Sequence, residues 1–347
     1  MIAKIKQRLP TAAGIFQGRL LDRVIIWSGA LLILSIIAFG VYYYVDHGTK
    51  TATPSTSEIV QRQLAQYEQV VRDDPNNITN RLALGDAYLG LDRFADAAAQ
   101  YEAALTINDQ TTLGHIGLGR AKLGLKDYTG ATENFQKILD MSQDADIAGQ
   151  LVESAHYFLG QIAMEQGDLD GAIQQLTEAT KLESSDSDAW YLMGSAYAQQ
   201  GKLDDSINAL TKSVLFVPDF QEAYEKMAEV FDQKGATGAA LYARGMVAYS
   251  KGDLDEAASK LNDAVRINPA LAPAYSGLGI VREIQGQKDE AAAAYQQALQ
   301  IDATDFNATS GLARLQGGSS GGSLPAGHPG AEPTTQPTAD SGQGVTP

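Results

Sequence analysis

LALGDAYLGLDRFADAAAQYEAAL, residues 82–105, and IGLGRAKLGLKDYTGATENFQKIL, residues 116–139, are one pattern written twice, 34 residues apart. Leu84-Gly85 becomes Leu118-Gly119, Ala97 becomes Ala131, and Tyr101 becomes Phe135. The frame returns at Leu159-Gly160, Met193-Gly194 and Leu278-Gly279, with later positions on Ala172, Leu176 and Ala179 and on Ala291, Tyr295 and Ala298. Each copy reads as two antiparallel helices joined by a tight turn such as GLDRF, GDLDG or GDLDE, where Gly90, Gly167 and Gly252 are expected to supply the left-handed residue that ends the first helix. Gly85, Gly119, Gly160 and Gly194 fall in mid-helix, at a cost of ~1 kcal/mol each relative to Ala. That cost is tolerable where a missing side chain lets a neighbouring helix approach. Neither helix of a pair can bury its apolar stripe alone, so stability has to come from stacked neighbours.

Working outward fixes the limits of the array. The helix Glu58–Arg72, with Tyr67 and Val70 and followed by Pro75, reads as the second half of a unit, opened by a capping box of Ser55 and Glu58. Seven extra residues fall between the second and third copies, near Asp140–Val152, and should lengthen the following helix. Between Gly194 and Gly245 the spacing is one and a half periods, so 221–252 should hold two helices that both resemble first helices. A last helix, Phe306–Leu315, would cover the open end through Leu312 and Leu315.

A 34-residue period with these positions resembles the tetratricopeptide repeat, over roughly residues 57–315. The resemblance implies an all-α, right-handed solenoid of antiparallel helix pairs at 57–316. It also implies a concave surface, lined by the second, fifth, ninth and twelfth positions of each first helix, that holds an extended peptide or a partner helix. Those positions include Tyr157, Gln161 and Met164; Tyr191, Ser195 and Ala198; and Tyr242, Met246 and Tyr249. Aromatic and Met side chains suit a peptide anchor, although rings at these places can equally pack on the next first helix. Glu222, Glu225, Glu229 and Asp232 form the intervening stripe, either a solvated face or a receiver of a basic segment. The family's chaperone-binding subclass grips a terminal carboxylate with Lys and Asn; the first unit here has Leu82 and Asp86, which argues against that activity.

Outside the repeat, Val24–Val45 (VIIWSGALLILSIIAFGVYYYV) is uncharged. As a helix it would be about 33 Å long, enough for a hydrocarbon core of ~30 Å, with Trp27 near one end and Tyr42, Tyr43 and Tyr44 near the other. The exit, YYYVDHG, is a poor cleavage site, so the segment reads as an uncleaved single-pass anchor. Residues 1–23 carry Lys4, Lys6, Arg8, Arg19 and Arg23 against Asp22, whereas the whole chain has a formal net charge of −16. The positive-inside rule then keeps the amino terminus in the cytoplasm and translocates the remainder of the chain, beginning with 46–56, a polar tether. A mitochondrial targeting peptide would share the basic and apolar interleaving of 1–23. Residues 317–347, rich in Gly, Pro, Ser and Thr, have no apolar face and are expected to be a disordered tail.

The chain has no cysteine, which removes disulfides and thiolate chemistry, and its acidic balance repels phosphate backbones, which argues against nucleic acid. His47, His115, His156 and His328 do not pair at metal-ligand spacing, and neither a phosphate loop nor a nucleophile elbow occurs. No catalytic residue, metal site or cofactor is expected. The sequence therefore points to a plasma (inner) membrane scaffold or adaptor whose repeats lie in the extracytoplasmic (periplasmic) space and recruit or assemble envelope complexes. The alternative is a chaperone-like holder of newly translocated chains, cytochrome-maturation roles included.

Overall fold

The computed structural model describes residues 56–142 and 148–317. The segments 1–23 and 24–45, nearly all of the tether and all but the first residue of the tail lie outside them. Among the described residues no helix is long and apolar enough to cross a membrane. The chain divides into two compact units, Met1–Gln66 and Tyr67–Pro347, and the second contains the repeats.

Fifteen helices and no strand occur among the described residues. They are α1 (Thr56–Asp73), α2 (Ile78–Leu89), α3 (Phe94–Ile107), α4 (Thr112–Gly124), α5 (Tyr128–Met141), α6 (Gly149–Glu165), α7 (Leu169–Leu182) and α8 (Ser187–Gln199). Next come α9 (Leu203–Phe216), α10 (Gln221–Gln233), α11 (Thr237–Ser250), α12 (Leu254–Ile267), α13 (Ala272–Ile284), α14 (Lys288–Ile301) and α15 (Phe306–Gln316). Helix α6 has 17 residues where α4 and α8 have 13, so the insertion lengthens it as the spacing requires. Helix starts are held by side chains: Asp168, Asp253 and Asp305 each accept a backbone N–H from three residues on.

The ends of first helices correct one expectation. Gly167 and Gly252 are left-handed, but Gly90 is right-handed at φ −64° and the left-handed residue of its turn is Asp92. The reason is the frame: Asp92, Lys126 and Gly167 occupy the same position of their units, and at each the backbone closes the same pair of hydrogen bonds onto the preceding helix. Asp tolerates the conformation better than most residues.

Packing inside a unit follows one rule. A Cβ at Gly85 would lie 2.7 Å from the Tyr101 ring, and one at Gly119, Gly194 or Gly245 would lie 2.6–2.8 Å from Phe135, Leu210 or Leu261. Each large residue stands 16 positions after its glycine and is fully buried. Tyr101 and Tyr295 meet a second glycine 16 positions further on, Gly117 and Gly311, in the next first helix. These two tyrosine rings thus sit between two walls that lack a side chain, whereas Phe135 has Gly119 on one side and stacks on the Phe158 ring on the other. Tyr67 occupies this position in α1 but is 43% exposed; among the described residues no first helix precedes α1.

Contacts between alternate helices show which layer lies inside. Helix α2 touches α4, α4 touches α6, α6 touches α8 and α8 touches α10, whereas α3, α5, α7 and α9 do not touch one another. First helices converge on the inner side of the curve and second helices splay on the outer. After α10 the pattern changes parity: α11 touches α13, α13 touches α15, and α10 does not touch α12. The expected half-period slip is therefore real, and it makes α11 a helix of two roles. As second helix to α10 it presents Ala240, fully buried at the place of Ala97, but Arg244 stands exposed at the place of Tyr101. As first helix to α12 it presents Gly245 against Leu261. An arginine cannot fill the ring's nest, so the next second helix falls to α12.

Candidate interaction faces

The residues singled out from the sequence do not form one groove. They divide between the two sides of α11.

On the first side lie the stripes of α6, α8 and α10. Tyr157 is half-buried with its ring edge on Phe158, and Tyr191 is half-buried with its ring 5.3 Å from Phe220; Met164 is also half-buried. Carboxyls crowd Tyr157. Burial pushes Glu153 up to about 7, helped by its hydrogen bond to Asp186 and that group's charge. Burial, with Asp186 and Glu222 nearby, also raises Asp188. Tyr157 is pushed up to about 12 by burial first and then by Asp188, Asp186 and Glu153, so it stays neutral. Among the described residues none of Glu153, Asp186, Asp188 and Glu222 has a Lys or Arg partner. Beside Tyr191, one turn on, Ser195 is 8% exposed and its hydroxyl has no hydrogen-bond partner.

Further along α10 the acidic stripe is not bare. Glu225 pairs with Lys251 at 3.5 Å, Glu229 with Lys226 at 2.5 Å, and Asp232 with Arg244. All of these groups except Lys226, with Glu256 and Lys260 of α12, line a cavity of about 370 Å³. Exposed pairs of this kind contribute ~0–1 kcal/mol, so the bases neutralise the stripe without locking it.

On the other side of α11, Tyr242, Met246, Ser276 and Ile280 line a second cavity of about 340 Å³. Tyr242 is half-buried, with its ring edge-on to Tyr224 at 6.2 Å. Burial pushes the Tyr242 hydroxyl up to about 12, the hydrogen bond with Tyr224 opposes this, and the charge of Asp305 adds to it. Asp305 accepts from the Ser276 hydroxyl and from the Ala308 N–H, which fixes the loop at the mouth. Phe306 and Leu215 stand at the rim, 68% and 62% exposed. Lys212 and Asp302 complete the mouth, with Asp302 held low by two hydrogen bonds from Thr304.

Two residues of the expected stripe are corrected. Tyr249 is fully buried and Met246 is 3% exposed, because α11 is packed by α10, α12 and α13 together. Tyr249 belongs to the core, and Met246 contributes only floor to the cavity. Pro273, Ser276 and Ile280 were missed, although they hold the second, fifth and ninth positions of their unit; the stripe rule applied to that unit names all three. His156 is half-buried and hydrogen-bonded to Gln175, a structural role. No group of side chains able to hold a metal occurs among the described residues.

Models described as tetratricopeptide repeat match residues 64–111, 82–146, 116–179 and 218–272, and others of the same description match 187–216 and 272–305. A model described as TPR repeat matches 160–201. No curated protein matches the chain. Among solved structures, the MamA protein is 23% identical, with 56% of this chain and 93% of that one covered and a TM-score of 0.33. YrrB, described as a TPR protein with an unusual peptide-binding site, is 19% identical, with coverage of 60% and 95% and a TM-score of 0.38. The C-terminal part of a TPR repeat-containing protein from Cytophaga hutchinsonii is 16% identical, with coverage of 73% and 94% and a TM-score of 0.45.

Proposed function

Because the chain belongs to the tetratricopeptide-repeat family, we propose that it is a membrane-anchored scaffold that holds protein partners on the faces of its solenoid. One observation carries the reading: the 340 Å³ cavity beside α11 has an apolar floor of first-helix stripe residues and a rim of large, exposed hydrophobic side chains. A protein with no partner gains nothing by keeping Phe306 and Leu215 in water next to an open cavity. The groups around the cavity are arranged for binding: the tyrosines are neutral and the carboxylate of Asp305 is occupied by the loop it caps.

The anchor and location rest on the sequence. The uncharged segment 24–45, its aromatic ends and the basic residues before it support a single pass through the plasma membrane with the amino terminus inside. The repeats then work outside the cytoplasm, where recruitment or assembly of envelope complexes is the role a tethered scaffold fits. Protease added to intact spheroplasts tests this arrangement: the repeats should be removed and a small membrane-bound fragment left. Protection until lysis overturns it. Pull-down of the full chain in mild detergent should give one or two stoichiometric partners; many substoichiometric clients would favour a chaperone-like holder instead.

A further inference from the structure

The parity change has a consequence for binding. In a regular array every first helix runs the same way and the first-helix layer stays on one side. Successive helices here remain antiparallel neighbours, so α2, α4, α6, α8 and α10 run one way and α11, α13 and α15 run the other. Helix α11 enters as the second helix of α10, on the outer layer, and leaves as the first helix of α12. The first-helix layer thereby moves to the side that was outer.

The cavities agree with this. Glu225, Glu229 and Asp232, at the fifth, ninth and twelfth positions of the α10 unit, face one cavity; Tyr242 and Met246, at the fifth and ninth of the α11 unit, face the other. Arg244, Ala248 and Lys251 of α11, which wall the first cavity, stand about 120–180° round the helix from Tyr242 and Met246 at 3.6 residues per turn. Equivalent positions of consecutive units thus open to opposite sides. The second cavity, moreover, is bordered by Lys212 and Leu215 of α9, an outer helix of the first half.

We infer that the chain is a two-sided adaptor that binds two partners of different chemistry at once. This rests on the scaffold reading above. The first side takes a basic segment: Glu153, Asp186 and Asp188 gather beside Tyr157, with Glu222 next to Asp188, and none has a basic partner among the described residues. On the same stripe, about two turns beyond Asp188, the hydroxyl of Ser195 is buried and has no hydrogen-bond partner. The second side takes an extended segment that sets a bulky apolar side chain over Tyr242 and Ile280, with a basic residue beside Asp302 across from Lys212. The slip lets one continuous array face both ways, and it costs only the missing ring nest at Arg244.

A displayed library of twelve-residue peptides, selected on the full-length chain, tests the inference. Two families should emerge, one with clustered bases and one with a bulky apolar residue. Asp188→Asn with Glu222→Gln should weaken the first by about tenfold and leave the second within about twofold; Phe306→Ser should do the reverse. All three side chains are exposed, so both variants should fold. Saturation with one peptide should leave the affinity of the other unchanged. Cross-competition, or loss of both families in one variant, overturns the two-sided reading while leaving the scaffold reading intact. Enrichment of no peptide overturns both.

Discussion

Gly279→Ala places one methyl group where the Tyr295 ring already is. The new Cβ would lie 2.5 Å from Cδ1 and Cε1 and 2.9 Å from Cζ, against an ordinary carbon–carbon contact of ~3.5–4.0 Å. The ring would have to yield by about 1 Å, and it has nowhere to go. It is fully buried, its far side lies against Gly311 still more closely, and its hydroxyl donates to Glu283 at 2.7 Å. Overpacking of this kind costs ~1–3 kcal/mol, and displacing the hydroxyl from a carboxylate adds about 1 kcal/mol more. Alanine regains ~1 kcal/mol of helix propensity, so the net loss should be about 2 kcal/mol, or roughly 30-fold in the opening equilibrium.

A stacked array loses stability locally, so the assay should be local as well. Amide exchange should show α13–α15 opening about 30-fold more often and α2–α9 unchanged. In a Tyr295→Ala background the ring is gone, and Gly279→Ala should then be neutral or stabilising by up to ~1 kcal/mol. An equal penalty in both backgrounds would refute the ring-nest argument.

Arg314 holds the last helix by two hydrogen bonds to Glu283, at 3.0 and 2.8 Å, with both side chains under 20% exposed. Arg314→Ala leaves that carboxylate without a counter-charge, with only the Tyr295 hydroxyl donating to it, and should release α15 at a cost of ~3 kcal/mol, read as lost exchange protection over 306–316; protection equal to the wild type would mean that the helix is held by Leu312 and Leu315 alone. The pH prediction concerns Glu153, raised from 4.5 to about 7 by burial and Asp186. Between those values the folded chain keeps a proton that the unfolded chain releases, so stability of the α6–α8 region should fall as pH rises from about 4.5 to 7. Glu153→Gln should flatten that slope, and an unchanged slope in thermal unfolding would exclude Glu153 as its source.

The helix pairs, the long α6, the slip and the final helix were all legible, because a 34-residue frame fixes which residues must meet. The Gly90 error came from reading a glycine as a turn signal instead of counting the frame, which puts Asp92 at the left-handed position. The site was legible only in part. Helical spacing gave the stripe, but it cannot say which side of the sheet of helices a stripe faces once the parity has changed. Tyr249 holds the twelfth position that Met164 holds in α6, yet one is enclosed and the other half-buried, since α11 alone carries partners as both a second and a first helix. The bases on the acidic stripe were hidden for another reason: Arg244 and Lys251 reach it from the next helix, 12 and 26 residues away in the chain.

The claim that partners are held on these faces is tested most directly at the rim. Phe306 and Leu215 are mostly in water, so Phe306→Ser with Leu215→Ser should shift stability by no more than ~0.5 kcal/mol. Affinity for the stoichiometric partners recovered in mild detergent, measured by titration against the full-length chain, should fall by about tenfold or more for one of them. Unchanged affinity in the folded double variant would contradict the account, because the exposed rim would then have no role in holding the partner.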